Sequence, residues 1–303
     1  MQAFYSDHFV LPLPDGHRFP MQKYRLLRQQ VAGIPGVVLS EAPAATDSQL
    51  LLVHEPVYLQ HLIHGTLDAK AQREIGFPWS LAMVERSRRS VGASVAACRT
   101  ALSEGVAVNL AGGTHHAYRH KGSGFCVFND AAVAARVMQR ELKQRDFSIA
   151  IVDLDVHQGD GTASIFANDP TVYTLSLHGQ NNFPFRKQIS KLDVGLPDGC
   201  DDATYLDSLE RALLTLEAQF QPKLLIYLAG ADPHEADRLG RMKLTKAGIK
   251  ARDDQVFDFA RRHQLPLAIS MAGGYGIDIT TTVSIHLQTI QGAARHWDSL
   301  SCF

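Results

Sequence analysis

Asp153, Asp155, His157 and Asp160 crowd the end of one apolar run, Ile149-Ala150-Ile151-Val152. A short run rich in β-branched residues reads as a buried parallel strand. Side chains alternate faces along a strand, which predicts Asp153, Asp155 and His157 on one face. Carboxylates and an imidazole converging at a buried strand end repel or desolvate one another unless a cation lies between them. Asp155 and His157 offer a divalent metal one oxygen and one nitrogen. A catalytic zinc typically takes about three protein ligands and keeps a position open for water. Asp232, after the apolar run Leu224–Leu228, is the best third ligand. Asp after a strand is also a common helix N-cap. Asp232 alone suits either role, whereas capping would use only one carboxylate of the 153–160 cluster. The chemistry this predicts is metal-assisted hydrolysis.

A second constellation is His115-His116, directly after Gly112-Gly113-Thr114. If both imidazoles face a metal-activated water, each needs its far nitrogen oriented, and a buried carboxylate does this best. Asp153 and Asp160 are the two carboxylates left once Asp155 is assigned to the metal. Tyr275 follows Gly273-Gly274 and is either a packing residue or a phenol placed to polarise a carbonyl.

These residues need a scaffold, and apolar runs alternating with amphipathic stretches predict one. The expected strands are Val106–Leu110, Ser148–Leu154, Val172–Leu177, Leu224–Leu228 and Leu267–Met271. The expected helices are Met21–Val31, Leu81–Ser103, Asn129–Gln144, Tyr205–Gln219 and Thr245–His263. The pattern is that of an α/β fold, a single domain over residues 1–303 with a mostly parallel central sheet flanked by helices. Four of the strands run directly into small residues followed by a chemically capable group. Ligands in such sheets sit outside the carboxyl ends of the strands.

Bulk properties narrow the function. Among 303 residues, 45% are hydrophobic and 20% charged, with a formal net charge of -1, so nothing pulls the chain toward nucleic acid or a membrane surface. Cys98, Cys126, Cys200 and Cys302 show no paired spacing, which excludes a thiolate zinc site or redox motif and fits a reducing cytosol. The first residues lack a basic segment followed by an apolar core, and no apolar run is long enough to span a membrane. A cytoplasmic location is the expectation.

Gly112-Gly113-Thr114-His115-His116, Gly122-Ser123-Gly124-Phe125-Cys126-Val127-Phe128-Asn129-Asp130, Asp153–Gly161, Ala231-Asp232 and Gly273-Gly274-Tyr275 together resemble the signature blocks of the zinc-dependent histone deacetylase family. Gln158, where many members carry a second His, and Asp237-Arg238-Leu239-Gly240 resemble its class IV branch and bacterial relatives. The resemblance implies an arginase–deacetylase fold and a zinc on Asp155, His157 and Asp232. Ferrous iron would suit the same ligands. It implies His116 as general base and acid, oriented by Asp160, and His115, paired with Asp153, tuning the electrostatics. Tyr275 would polarise the scissile carbonyl. A potassium ion is implied on Asp153, the Ser176 hydroxyl and backbone oxygens of Asp155, His157 and Leu177. Gly124, Phe125, Phe183 and Leu239 would line an acyl-lysine tunnel, and Lys23 roughly matches an internal-channel arginine.

The implied activity is hydrolysis of acyl groups, acetyl or longer, from lysine side chains in a protein or peptide. Within the family the rival substrate is an acetylated polyamine or another small N-acyl-amine. Polyamine-selective relatives place an acidic residue seven positions after the third metal ligand, and here that position is Leu239, although Glu235 and Asp237 lie close by. An arginase-like pair of metals would want Asp at Gly159 and at His234. A third reading is an inactive acyl-lysine-binding module. Gly76-Phe77-Pro78-Trp79 occupies the place of the acidic substrate-gripping loop of many deacetylases, with no clear equivalent.

Overall fold

The expected strands form where the apolar runs lie, because each is buried on both faces and its backbone groups pair only with neighbouring strands. The computed structural model describes residues 1–144 and 146–300. In chain order the elements are β1 (Gln2–Tyr5), α1 (Lys23–Val31), β2 (Val38–Glu41), α2 (Asp47–Leu50), α3 (Pro56–His64), α4 (Ala69–Ile75), α5 (Leu81–Glu104), β3 (Val106–Asn109), α6 (Asp130–Glu141), β4 (Ile149–Asp153), α7 (Asp160–Phe166), β5 (Val172–Gly179), β6 (Leu192–Leu196), α8 (Asp202–Gln219), β7 (Leu224–Leu228), α9 (Lys246–Arg262), β8 (Leu267–Ser270) and α10 (Ile279–Leu300).

All eight strands are parallel, in the order β2-β1-β3-β8-β7-β4-β5-β6. The four strands expected to end in chemistry, β3, β8, β7 and β4, are consecutive neighbours at the centre of this order. Their carboxyl ends therefore open onto one place.

Alternation along each strand divides the core into two layers. Ala150 and Val152 pack with α1, α8, α9 and α10, whereas Ile149 and Ile151 pack with α3, α5 and α6. Strand β4 itself ends at Asp153, yet Leu154 and Val156 remain in the same layer as Ala150 and Val152. Asp153, Asp155 and His157 consequently stay on the other side, as alternation predicts, although the last two lie beyond the strand.

Helix boundaries are set by caps. Ser80 accepts from the Met83 N–H to start α5, Asn129 from Ala132 to start α6, and Thr245 from Gly248 to start α9. Each such cap contributes about 1 kcal/mol. The expected helices thus begin one residue late at α6 and α9, their first residues serving as caps. The strands β1, β2 and β6 were not expected: β2 and β6 lie at the sheet edges and are partly exposed, so neither shows a continuous apolar run. Cys98, Cys126 and Cys200 are buried and unbridged, and Cys302 lies outside the described residues.

Candidate metal and acid–base site

Asp155, His157 and Asp232 meet at the carboxyl ends of β4 and β7, with ligand atoms all within 4.8 Å of one another and every side chain buried. Backbone donors fix the carboxylates. Asp155 Oδ2 accepts from Gly273 N at 2.7 Å, Asp155 Oδ1 from His157 N at 3.0 Å, and Asp232 Oδ1 from Val156 N at 2.9 Å. His157 Nδ1 lies 2.9 Å from Asp155 Oδ1 and 3.3 Å from Asp232 Oδ2. Asp232 Oδ2 nevertheless has no hydrogen bond and is buried. The imidazole attracts that oxygen electrostatically, its Nδ1 being directed at Asp155 Oδ1 instead.

A buried carboxylate oxygen with no hydrogen bond fits a bound cation. A Cβ on Gly273 would come within 2.0 Å of Asp232 Oδ2 and 2.5 Å of Asp155 Oδ2, so only glycine leaves the space between the carboxylates open. Electrostatics agree. Burial and the neighbouring Asp155 charge raise the Asp232 carboxyl to about 7. Burial opposes the charged form of His157, but Asp155 and Asp232 outweigh it and hold the imidazole at about 10. Asp155, His157 and Asp232 would hold a divalent cation, whose charge would take the place of that proton between the two carboxylates.

His115 and His116 enter on the loop after β3. Gly112 and Gly113 have φ of +79° and +69°, which bends the chain, and the Gly113 and Thr114 N–H groups donate to the Asp130 carboxylate at 3.0 and 2.7 Å. His115 Nδ1 lies 2.6 Å from Asp153 Oδ2, and His116 Nδ1 lies 2.6 Å from Asp160 Oδ1. The environments split the two rings. Burial opposes charge on His115, but Asp153 and Asp155 outweigh it and raise it to about 9. Burial and the adjacent His115 lower His116 to about 4 despite Asp160. One imidazole is thus held protonated and the other neutral, so that two adjacent rings carry different charge.

Tyr275 is buried, with its ring 6.4 Å from that of His157 and 6.1 Å from that of Phe125. Its backbone N–H donates to Asp237 Oδ2 at 2.6 Å and its carbonyl accepts from Arg238 Nε at 3.0 Å. Phe183 stands edge-on to His116 at 4.9 Å. A cleft of about 720 Å³ runs from His116, His157 and Tyr275 to solvent between Gly124, Phe125, Phe183 and Leu239. Phe125 holds φ +65°, a left-handed conformation rare outside glycine, beside Gly124 at +53°. Beneath the triad a chamber of about 40 Å³ reaches Lys23, whose Nζ donates to Ala272 O at 3.2 Å and Gly274 O at 3.4 Å. Of the residues expected around potassium, Asp153 lies opposite Ser176 in the β4–β5 register, and the Ser176 hydroxyl lies 3.0 Å from His178 Nδ1.

Residues 17–290 match the histone deacetylase domain family. The chain belongs to the histone deacetylase family. An uncharacterized protein of Picosynechococcus sp. is 47% identical to this chain over 296 residues, 96% of this chain and 97% of that one. Histone deacetylase 2 of Arabidopsis thaliana is 32% identical over 248 residues, 76% of this chain and 62% of its own length. The acetoin utilization protein AcuC of Bacillus subtilis is 32% identical over 223 residues, 66% of this chain and 57% of its own. The chain thus spans less than two thirds of each of these last two. Crystal structures of an HDAC homolog complexed with SAHA and of an HDAC homolog from Aquifex aeolicus share the fold, with TM-scores of 0.82 and 0.81 at 24% identity. Each alignment covers 97% of this chain and 83% of the other.

Other residues serving this deacetylase-family site were not anticipated from the sequence. Tyr118 donates to Asp160 Oδ2 at 2.8 Å. Asn129 Nδ2 donates to Ala117 O at 3.1 Å, and with Asp130 it fixes the tandem-histidine loop. Arg252, fully buried in α9, donates to Gly230 O at 2.6 Å and Leu154 O at 3.3 Å, tying together the loops that carry Asp155 and Asp232. The Gln158 amide pairs with the backbone of Gln188, accepting from its N–H at 2.8 Å and donating to its carbonyl at 2.7 Å. Tyr118 and the Asn129-Asp130 pair lay within or beside blocks already singled out; Arg252 carried no sequence signal, because its role depends on which face of α9 meets the sheet. Among the described residues, no helix is long and apolar enough to cross a membrane.

Proposed function

We propose that this protein is a metal-dependent amide hydrolase that removes a short acyl group from lysine side chains, with residues 1–303 acting as one catalytic domain. The observation that carries this reading is the convergence, at the floor of one cleft, of an orphaned-carboxylate metal triad and a neutral, carboxylate-oriented His116. Asp155, His157 and Asp232 would hold zinc, or ferrous iron, which when bound supplies Lewis acidity to water and to the acyl carbonyl. His116, uncharged near neutral pH and backed by Asp160, takes the proton of the attacking water and returns it to the departing amine. His115 on Asp153 keeps positive charge beside the developing oxyanion. The Tyr275 phenol, which burial and the Asp155 charge keep firmly protonated, donates to that oxyanion.

Phe125 and Phe183 flank the slot through which an extended aliphatic chain would reach the metal. The inner chamber of about 40 Å³ has room for about three waters, which favours an acetyl-sized group over a long acyl chain. Asp153 and Ser176 are the side chains proposed for a structural potassium, with backbone oxygens of Asp155, His157 and Leu177. Gln158 and the Asp237–Gly240 segment support a place near the class IV branch, and a cytoplasmic role accords with three unbridged cysteines.

The acetylpolyamine alternative would need an acidic residue at the mouth. Position 239 is leucine, and the Asp237 carboxylate is turned inward, accepting from Leu239 N at 2.8 Å, Gly240 N at 3.0 Å and Tyr275 N at 2.6 Å. Glu235 is exposed and does not line the cleft. The test is turnover of acyl-lysine peptides of increasing chain length against acetylated polyamines, with metal content measured on the same sample. Tyr275→Phe should retain metal and lose roughly 10²-fold in kcat. Metal-replete protein that hydrolyses no N-acyl substrate, or a Tyr275→Phe protein with unchanged turnover, would sink the reading.

A further inference from the structure

The cleft mouth is strongly basic, and nothing in the catalytic chemistry asks for that. Four arginines line it, Arg18, Arg73, Arg238 and Arg241, against a single acid, Glu74. Glu74 is already held by Lys121 at 3.0 Å, with Lys70 at 4.0 Å. Arg241 shares Asp198 at 3.2 Å, a pair half open to solvent. Arg238 uses only Nε, on the Tyr275 carbonyl, and leaves the rest of its guanidinium to the mouth. Arg18 and Arg73 are exposed, and among the described residues their side chains make neither a hydrogen bond nor an ion pair, although the Asp68 carboxylate feels the charge of Arg73. Asp237, next to Arg238 in the chain, spends both oxygens on backbone N–H groups. The chain as a whole is almost neutral, at -1, so this positive excess belongs to the mouth and not to the surface in general.

The four arginines come from different parts of the fold: the β1–α1 loop, helix α4, and the β7–α9 loop. They surround the entrance instead of forming one solvated helix face. Exposed arginines have no folding reason to converge, since like charges at a cleft repel. A cleft of one sign with low-dielectric walls focuses the field on what enters it, raising encounter rates for opposite charge roughly 10- to 10³-fold and rejecting like charge. Guanidinium groups in addition bind carboxylates through paired N–H donors.

We propose that the mouth selects acyl-lysine embedded in an acidic peptide segment, with Asp or Glu side chains beside the acylated residue. The inference rests on the deacylase reading above. A basic tail, whose flanking lysines and arginines would meet the guanidinium groups, and an acetylated polyamine, which retains ammonium groups, are both disfavoured at the same entrance.

Matched acetyl-lysine peptides with acidic, neutral or basic flanks, together with an acetylated polyamine, test this on the metal-replete protein. Within one preparation the ratio of kcat/KM for acidic over basic flanks should be at least about tenfold at low salt and shrink toward one as salt screens the mouth. In the Arg18→Glu, Arg73→Glu double variant that ratio should fall to one or invert, a comparison internal to the variant and insensitive to any loss of active protein. Hydrolysis of the neutral peptide with equal or greater turnover of the basic peptide or the polyamine overturns the selection while leaving the deacylase reading standing. A ratio unchanged by the double variant overturns it as well. No turnover of any of the four substrates removes the deacylase reading and the selection with it.

Discussion

Tyr118 and Asp160 are joined by a hydrogen bond of 2.8 Å from the phenol to Oδ2, the carboxylate oxygen opposite the one that holds His116. The His116–Asp160 pair is therefore the inner part of a three-membered chain. Both Asp160 oxygens are committed, so the carboxylate cannot rotate, and the His116 ring is held at one angle over the metal triad.

Tyr118→Phe removes the hydroxyl and little else. Tyr118 does not line the cleft, so the variant should keep KM and lose about tenfold in kcat, at the lower end of what outer-shell partners contribute. Steady-state kinetics on an acyl-lysine peptide separate the two constants. A variant whose KM alone rises would show that Tyr118 acts on substrate instead.

Gln158 anchors the segment after Phe183. Its amide holds both backbone groups of Gln188 and donates to Asp193 Oδ1 at 2.8 Å. Gln158→Ala frees this segment and should raise KM about tenfold, the equivalent of about 1.4 kcal/mol. Gln158→His, with a ring that cannot reach donor and acceptor together, should fall between. Native KM in both variants would separate the clamp from substrate binding.

Metal removal has two signatures. Chelation should abolish turnover, with recovery on adding zinc or ferrous iron, and lower the melting temperature. Metal at a hundredfold its Kd stabilises the fold by about 2.7 kcal/mol. Asp232→Asn keeps the acceptor for Val156 N but replaces the orphan oxygen with a donor. Without metal this variant should melt above the metal-free native protein, because the Asp155–Asp232 repulsion is gone. With metal it should gain nothing. A melting temperature for Asp232→Asn that rises with zinc as the native one does would remove Asp232 from the ligand set.

His54 makes the fold acid-sensitive. Its Nδ1 lies 3.0 Å from the Tyr118 carbonyl and its Nε2 accepts from Asn129 N–H at 3.0 Å, so the neutral ring satisfies both. Burial lowers it to about 4 from 6.5. The unfolded chain therefore takes up this proton first as pH falls. The contribution is complete above pH 6.5 and drains away toward pH 4, on the order of 3 kcal/mol in all. Unfolding free energies of the native protein and His54→Gln, compared across that window, should converge as pH drops. A constant difference between the two would show that His54 does not titrate on unfolding.

Much of the fold was legible because its signals are local. A strand buried on both faces must be apolar along its length, so β3, β4, β5, β7 and β8 stood out, while the partly exposed edge strands β2 and β6 did not. Helix α10 was not among the expected helices, its first residues, Ile279-Thr280-Thr281-Thr282-Val283, being a β-branched run that favours strand over helix. The expected class, a parallel sheet flanked by helices, matches the observed one, and the histone deacetylase resemblance matches the family.

The sequence by itself determined which groups arrive at the site, because Asp153, Asp155, His157 and Asp160 are covalent neighbours at a strand end, and the glycines before His115 and Tyr275 announce where backbone must bend. Only the tertiary structure decided how they are used. His115 meets Asp153 across 38 residues of chain and His116 meets Asp160 across 44, the pairings that the family resemblance implied and that only folding brings within contact. Tyr118 closes the second carboxylate, Asp237 turns away from the mouth, and four arginines surround the entrance. Such pairings depend on strand order and side-chain rotamers, which packing sets over the whole molecule and which no spacing in the chain records.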